Sequence, residues 1–202
     1  IIGSLLILKK VFRVNIEAEQ ELHRKLGFLR GNRPVSLHLQ LENKQLVGQP
    51  LRKLFDLLKE PVVVSRMFHK GEIITPTPDL ILDENDVLLV VATKHEMEQL
   101  KLLIGPVSTM NLKNAKESDL ISRIIVVTRS EVTHKRLGDI PELHQQEFTL
   151  TRLSRAGIEM VPHGDIFLQL GDNIKVVGTE EGVQVARSEE HTSELQSLTT
   201  IS

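Results

Sequence analysis

The sequence LILDENDVLLVV at residues 80–91 decides the fold, because it returns as IFLQLGDNIKVV at residues 166–177 with no gap. Asn85 and Gly171 occupy the same position in the two copies. Asparagine and glycine are the residue types that most readily adopt the left-handed backbone conformation. The aspartate that follows each of them can accept hydrogen bonds from turn amides. Each copy therefore predicts a tight turn that leads directly into an apolar strand.

The same spacing of 86 residues relates features on both sides of this segment. Gly71 and Gly157 each stand where a tight turn is needed, since glycine tolerates positive φ. Thr93 predicts a helix N-cap, and Glu96 three residues later completes a capping box. Thr179 repeats the cap, but the glutamate is absent from the second copy. The repeat therefore extends from a glycine turn before the quoted segment to a helix after it.

Each copy is predicted to contain the order strand, helix, strand, strand, strand, helix. The first strand of copy one, at 35–42, alternates apolar and polar residues, whereas its counterpart at 121–128 contains a continuous apolar run that predicts cover on both faces. The fold class predicted is α+β, with two tandem small domains packed together as a pseudo-dimer. The predicted units are domain 1 (35–103), a linker (104–120) and domain 2 (121–186).

The composition excludes several classes of function. The 202 residues carry a net charge of −2 and contain neither Trp nor Tyr, so the stacking platforms of a single-stranded nucleic-acid binder are missing. Without cysteine there are no disulfides and no thiolate nucleophiles or metal ligands. No dinucleotide fingerprint, phosphate-binding loop or nucleophile elbow is present, and the histidines have no metal-ligand spacing. We therefore expect no enzyme activity, no cofactor, no metal and no nucleic-acid partner.

Both ends of the sequence differ from the duplicated part. Residues 1–10 are mostly apolar and then basic, which predicts the end of a truncated transmembrane helix, and the charged residues 11–34 predict a cytosolic linker helix. An ordinary alternative for the first residues is a buried strand or a short core helix. Residues 187–202 resemble the translation of a common short-read sequencing adapter, and we interpret them as an artefact outside the fold.

The two glycine turns, the segments LDEND-VLLVV and LQLGD-NIKVV, and the capped helices resemble the C-terminal domain of the regulators of potassium conductance, also called the TrkA C-terminal or RCK_C domain. Two such domains in tandem after a membrane-like end resemble the cytoplasmic insert of the aspartate–alanine antiporter family of transporters (AspT, YidE and YbjL-like). The resemblance implies a plasma (inner) membrane protein, with this segment cytoplasmic and the transmembrane halves outside it. It also implies cation or amino-acid transport by the whole protein.

Arg66 and Arg152 are the candidate ligand-binding residues. Each follows a hydroxyl residue in an apolar strand, at equivalent positions of the repeat. If the domains pack as a pseudo-dimer, both guanidinium groups could approach one cleft and bind a carboxylate or phosphate through their planar forks. The interpretation favoured from sequence alone is the ordinary one, in which each is a solvent-facing strand arginine that pairs with a neighbouring acid.

These features lead to the hypothesis of a cytosolic regulatory region of a membrane transporter or antiporter. A small anionic effector would prefer one arrangement of the two domains and so bias the attached membrane halves. The expected partners are those transmembrane halves of the same polypeptide, the effector, and further copies in a homo-oligomer. Two alternatives stay open: a structural or dimerisation scaffold of the transporter, and the C-terminal regulatory part of a potassium uptake or channel regulator.

Overall fold

The computed structural model describes residues 33–113, 119–128, 132–133, 135–140, 148–185 and 198–201. The helices predicted within residues 1–32 and most of the predicted adapter segment lie outside this part of the chain. No helix within the described ranges is long and apolar enough to cross a membrane.

Lobe 1 is an antiparallel sheet of four strands in the order β1-β4-β2-β3, with two helices. Its elements are β1 (Val35–Gln40), α1 (Arg52–Asp56), β2 (Val63–His69), β3 (Glu72–Ile74), β4 (Val87–Ala92) and α2 (Lys94–Ile104).

Lobe 2 repeats this sheet in the order β7-β6-β8-β5 and adds β9 beside β5. Its elements are β5 (Ile121–Val127), a 3-10 turn (Leu137–Asp139), β6 (Phe148–Arg155), β7 (Ile158–Met160), β8 (Asn173–Gly178), α3 (Glu180–Val185) and β9 (Leu198–Ile201). The α+β fold of two tandem small domains is therefore confirmed. The strand β9 was not predicted, because it falls in the stretch interpreted as an artefact.

Strand β4 is the centre of lobe 1, because it pairs antiparallel with both β1 and β2 and all six of its residues are buried. Its side chains alternate between two apolar clusters. Leu88 and Val90 face the main core beneath α2. Val87 and Leu89 face the other side, where the fully buried Leu112 from the chain after α2 packs on them. The linker therefore covers part of the outer face of the lobe 1 sheet.

Strand β5 departs from its prediction of cover on both faces. Ile125 and Val127 are buried, but Ile124 is 40% exposed and Arg123 is also exposed. The continuous apolar run therefore occupies a strand with one buried face, and the predicted cover on both faces is wrong.

The turns that lead into β4 and β8 adopt the predicted conformation. Asn85 has φ of 70° and Gly171 has φ of 82°, both left-handed. The next residue in each copy is a buried aspartate whose Oδ2 accepts a backbone N–H three residues earlier, at 2.8 Å in both lobes. The turn role predicted for Asp86 and Asp172 is confirmed.

Each buried aspartate also contacts a nitrogen-bearing side chain at the end of the neighbouring strand. In lobe 2 the Arg155 Nε and Nη2 donate to the two oxygens of Asp172 at 2.8 and 2.7 Å. In lobe 1 the equivalent position is His69, whose Nδ1 lies 3.0 Å from both oxygens of Asp86. The repeat thus keeps a carboxylate under the turn while it changes the group that contacts it.

The helix caps follow the prediction in lobe 2 but not in lobe 1. Thr93 makes no side-chain hydrogen bond to α2, its hydroxyl is buried without a described partner, and the buried Glu96 does not complete the capping box. In lobe 2 the Thr179 hydroxyl oxygen accepts a hydrogen bond from the Gly182 amide at 3.1 Å. The Thr93 hydroxyl oxygen and the Glu96 side chain are both buried, and the capping-box prediction for lobe 1 is wrong.

Gly105 ends α2 with φ of 144°, and a Cβ there would lie 2.3 Å from the backbone oxygen of Gln40. We expect Gly105→Ala to lower the free energy of unfolding by about 3 kcal/mol, because the collision is with a backbone that cannot move without disturbing β1. Chemical denaturation followed by far-ultraviolet circular dichroism measures this. Gly48→Ala is the matched control, since Gly48 also has positive φ but open space around the added Cβ; it should cost about 1 kcal/mol. Equal losses would show that the contact is not restrictive.

Asp172 is fully buried, whereas Asp165 forms an exposed ion pair with Arg136. We expect Asp172→Ala to lower the free energy of unfolding by about 2 kcal/mol, since it leaves a buried amide without its acceptor and Arg155 without its carboxylate. Asp165→Ala should change the same quantity by less than about 0.5 kcal/mol. Urea titration of both variants provides the comparison, and a small effect of Asp172→Ala would contradict a structural role for the buried pair.

Candidate functional site

A polar cavity of about 220 Å³ lies where the two lobes meet. We call it the interlobe cleft. Its hydroxyl and cationic groups come from the outer faces of both sheets and from the linker after α2: Ser36, Arg66, Lys113, Ser122, Arg152 and Lys175.

A β-bulge in β2 directs Arg66 into the interlobe cleft. Val64 pairs with Val90 of β4, but Arg66 pairs with the very next residue, Leu89, so Ser65 is an extra residue in the strand. Without that extra residue, side chains three positions apart would point to opposite faces. With it, Val64 and Met67 both pack in the main core. Ser65 and Arg66 are left on the face that lines the cleft.

The same bulge recurs in β6. Leu150 pairs with Val176 and Arg152 with Lys175, so Thr151 is the extra residue. Leu150 and Leu153 then pack in the core of lobe 2, and Arg152 lines the cleft. The predicted approach of the two arginines to one cleft is what the structure shows.

The two arginines have different surroundings. Arg66 is only 6% exposed, its Nη1 donates to the backbone oxygen of Leu112 at 2.9 Å, and its buried Nε has no acceptor among the described residues. Burial lowers the pKa of the Arg66 guanidinium. The favoured alternative of a solvent-facing arginine paired with an acid does not fit Arg66.

Arg152 is half-buried and bridges the lobes. Its Nη1 donates to Glu159 Oε2 at 2.8 Å, within lobe 2. Its Nη2 donates to the hydroxyl oxygen of Ser36 in lobe 1 at 3.1 Å. The pairing with a neighbouring acid therefore holds for Arg152, which in addition makes a direct contact between the lobes.

Two lysines in the interlobe cleft were missed from the sequence. Lys175 occupies the position of Leu89 in the other copy, so a charge in an otherwise apolar strand was the available signal. Lys113 lies in the linker, where no pattern pointed to it. Loss of hydration lowers the pKa of Lys113, and Arg152, Lys175 and Arg66 lower it further. Among the described residues no carboxylate forms an ion pair with Lys113, Lys175 or Arg66, so the cleft holds an excess of positive charge.

A second cavity between the lobes is mainly apolar and has a volume of about 290 Å³. Equivalent residues of the repeat line it, among them Leu51 with Leu137 and Pro76 with Pro162. No group of three His, Asp or Glu side chains that could hold a metal ion occurs within the described ranges. The interlobe cleft therefore differs from this second cavity in its polar and cationic lining.

Comparisons with known proteins identify one matching family and several named relatives. Residues 41–105 match the family described as the TrkA-C domain. A Photobacterium profundum protein named "Putative transport protein PBPRA2144" is 30% identical over 187 residues, which cover 91% of this chain and 33% of the relative. A Porphyromonas gingivalis protein named "Uncharacterized transporter" is 35% identical over 148 residues, which cover 70% of this chain and 26% of the relative. The solved structure "GsuK channel bound to NAD" aligns with a TM-score of 0.36 and 10% identity over 76% of this chain and 52% of that chain.

The chain contains a TrkA-C domain in lobe 1, and lobe 2 repeats its strand order. The resemblance to TrkA C-terminal domains of membrane transport proteins, predicted from the turns and strands, is confirmed. The chain spans about a third of the length of the curated relatives it matches.

His38 on β1 supports the linker that delivers Lys113, because its Nε2 accepts the Leu112 amide at 3.2 Å. Burial lowers the pKa of His38, and Lys113 and Arg66 lower it further. The unfolded chain therefore takes up the proton more readily, so stability should fall as pH drops from the ordinary histidine range to the lowered pKa of the folded state. Denaturant titrations at pH 7.5 and 5.5 should show a smaller loss for His38→Gln, which keeps an acceptor but does not titrate. An unchanged loss would assign the acid sensitivity to other groups.

Proposed function

We propose that the two lobes form the cytoplasmic regulatory region of a membrane transport protein, and that a small anion in the interlobe cleft favours one arrangement of the lobes. The TrkA-C domain match and the names of the relatives support the transport and regulatory parts of this proposal. The observation that carries the effector part is a cleft that both lobes build and that holds more positive than negative charge. The proposed role of this region is non-enzymatic.

The positive charge of the cleft makes an anion bind one arrangement of the lobes more tightly than the other. When the lobes are together, Lys113 is close enough to be repelled by Arg152 and Arg66, and Arg66 has lost nearly all of its hydration. When the lobes separate, water screens the same charges. An anion that bridges the lobes therefore binds the closed arrangement more tightly, and this differential affinity is what ligand-linked coupling requires.

The coupling needs a path from the cleft to the rest of the polypeptide. The guanidinium of Arg66 donates a hydrogen bond to the linker backbone at Leu112. Arg152 donates a hydrogen bond to Ser36 near the start of lobe 1. A shift of lobe 2 relative to lobe 1 therefore acts on β1 and on the linker. The remaining two-thirds of such proteins would supply the membrane halves as partners. The transported substrate, a cation or an amino acid, would bind there and not in this cleft.

A scaffold is the second candidate function. It is favoured by the direct contact of Arg152 with Ser36, which joins the lobes without any ligand. A scaffold requires the lobes to keep one arrangement, whereas a sensor requires two. The two candidates therefore differ in whether an anion changes the distance between the lobes.

Removal of both guanidinium groups tests the effector site. We expect Arg66→Ala combined with Arg152→Ala to weaken binding of inorganic phosphate or acetate, whichever the wild-type chain binds, by at least about tenfold, measured by calorimetry at constant ionic strength. Arg66→Lys with Arg152→Lys keeps the charge but removes the planar fork, and it should lose less affinity. Arg52→Ala with Arg136→Ala is the matched control, because these arginines form exposed ion pairs outside the cleft. Unchanged affinity in the double alanine variant would eliminate the anion site.

The absence of native cysteine permits spin labels at Lys44→Cys and Gln184→Cys, one exposed position on each lobe. We expect the anion that binds the wild-type chain to narrow or shift the distribution of distances between the labels, measured by pulsed electron paramagnetic resonance. A distribution that stays fixed when the anion binds would contradict the sensor and favour the scaffold.

A further inference from the structure

The interlobe cleft follows the internal repeat except at its two lysines. Ser36 corresponds to Ser122, and Arg66 to Arg152, so these four groups come in matched pairs. The cation at Lys175 has a leucine as its counterpart, and Lys113 comes from the linker rather than from either sheet. The chain has therefore added two positive charges to a cavity that the repeat alone would furnish with two.

Lys113 lies close enough to the other three cations to be affected by each of them. Arg152, Lys175 and Arg66 each lower the pKa of Lys113, and Lys113 and Arg66 both act on His38. Glu159 neutralises Arg152 but, within the described part of the chain, no acid pairs with the other three. A single carboxylate brings one negative charge and cannot balance this excess. A phosphoryl group brings a charge of about −1.5 to −2 on one compact centre with three acceptor oxygens.

The hydroxyl groups of the cleft add further hydrogen-bond donors. Ser65 and Thr151 at the bulges already donate to strand carbonyls, at 3.2 and 3.1 Å. Ser36 uses its oxygen to accept from Arg152, which leaves its hydroxyl proton free, and the Ser122 hydroxyl forms no hydrogen bond with the described residues. Two hydroxyl donors, the Arg66 guanidinium and two ammonium groups thus line one cavity.

We propose that the interlobe cleft is selective for a small soluble phosphoryl compound over carboxylates, and that Lys113 and Lys175 set this selectivity. The assignment deepens the anion site proposed above and rests on it. The two lysines balance the second negative charge of the phosphoryl group. The arginines and serines of both lobes orient its oxygen atoms.

The test is calorimetric titration of the full chain with inorganic phosphate, glycerol phosphate, acetate and succinate at pH 7.5 and constant ionic strength. We expect the two phosphoryl compounds to bind at least about tenfold more tightly than either carboxylate. Lys175→Leu, which installs the lobe 1 residue, and Lys113→Gln should each weaken phosphate binding about tenfold and leave acetate binding almost unchanged. Lys44→Gln, an exposed lysine outside the cleft, is the control and should have no effect.

The outcomes separate the two proposals. Carboxylates that bind as tightly as phosphate would overturn the ligand class. Lysine variants that keep full phosphate selectivity would overturn the role assigned to Lys113 and Lys175. In both cases the anion site stands. No binding of any of the four anions would overturn both. Phosphatidylcholine vesicles with and without phosphatidic acid form a further arm, since a lipid headgroup carries the same phosphoryl chemistry. Binding to the acidic vesicles without binding of the soluble compounds would overturn a soluble ligand.

Discussion

The bulges at Ser65 and Thr151 are the constraint on which the rest of the molecule depends. A regular strand would place Val64 and Met67 on opposite faces, so either an apolar side chain would leave the core or the guanidinium of Arg66 would enter it. An unpaired charge in an apolar core costs several kcal/mol, which makes the bulged register strongly preferred. The same extra residue turns the arginine outward in both lobes. The same bulge therefore determines both the packing of the core and the position of the arginines at the lobe interface.

The local part of this structure could be predicted from the sequence, because it depends on conformational preferences of single residues. Asn85 and Gly171 have the left-handed turn that their residue types favour, and the strands after them are buried as the apolar runs indicated. The sequence contains one sign of the β2 bulge, since the apolar residues Val64 and Met67 are three positions apart in a predicted strand. That spacing is equally typical of a helix, so the sequence alone did not single out the bulge.

The long-range part could not be predicted. Arg152 reaches Ser36, which is 116 positions away in the chain, and the Arg66 guanidinium is bonded to a linker carbonyl 46 positions on. Neither contact leaves a periodic pattern in the sequence. Lys113 lies in a linker that shows no preference for either lobe, and its approach to the cleft depends on burial of the adjacent Leu112 against Leu89. The capping box at Thr93 failed for a related reason, since tertiary burial decided the geometry of a motif that local pattern had suggested.

Fusion of two copies in one polypeptide frees the cleft from a restriction that a symmetric dimer cannot escape. Identical subunits related by a two-fold axis must present every group twice, so any ligand on that axis has two equivalent orientations. Here Leu89 faces the cleft from one side and Lys175 from the other, and Lys113 is present once. A molecule with one charged end and one neutral end would therefore bind in a single direction. The duplication therefore gives the cleft two chemically different sides, which two identical subunits could not provide.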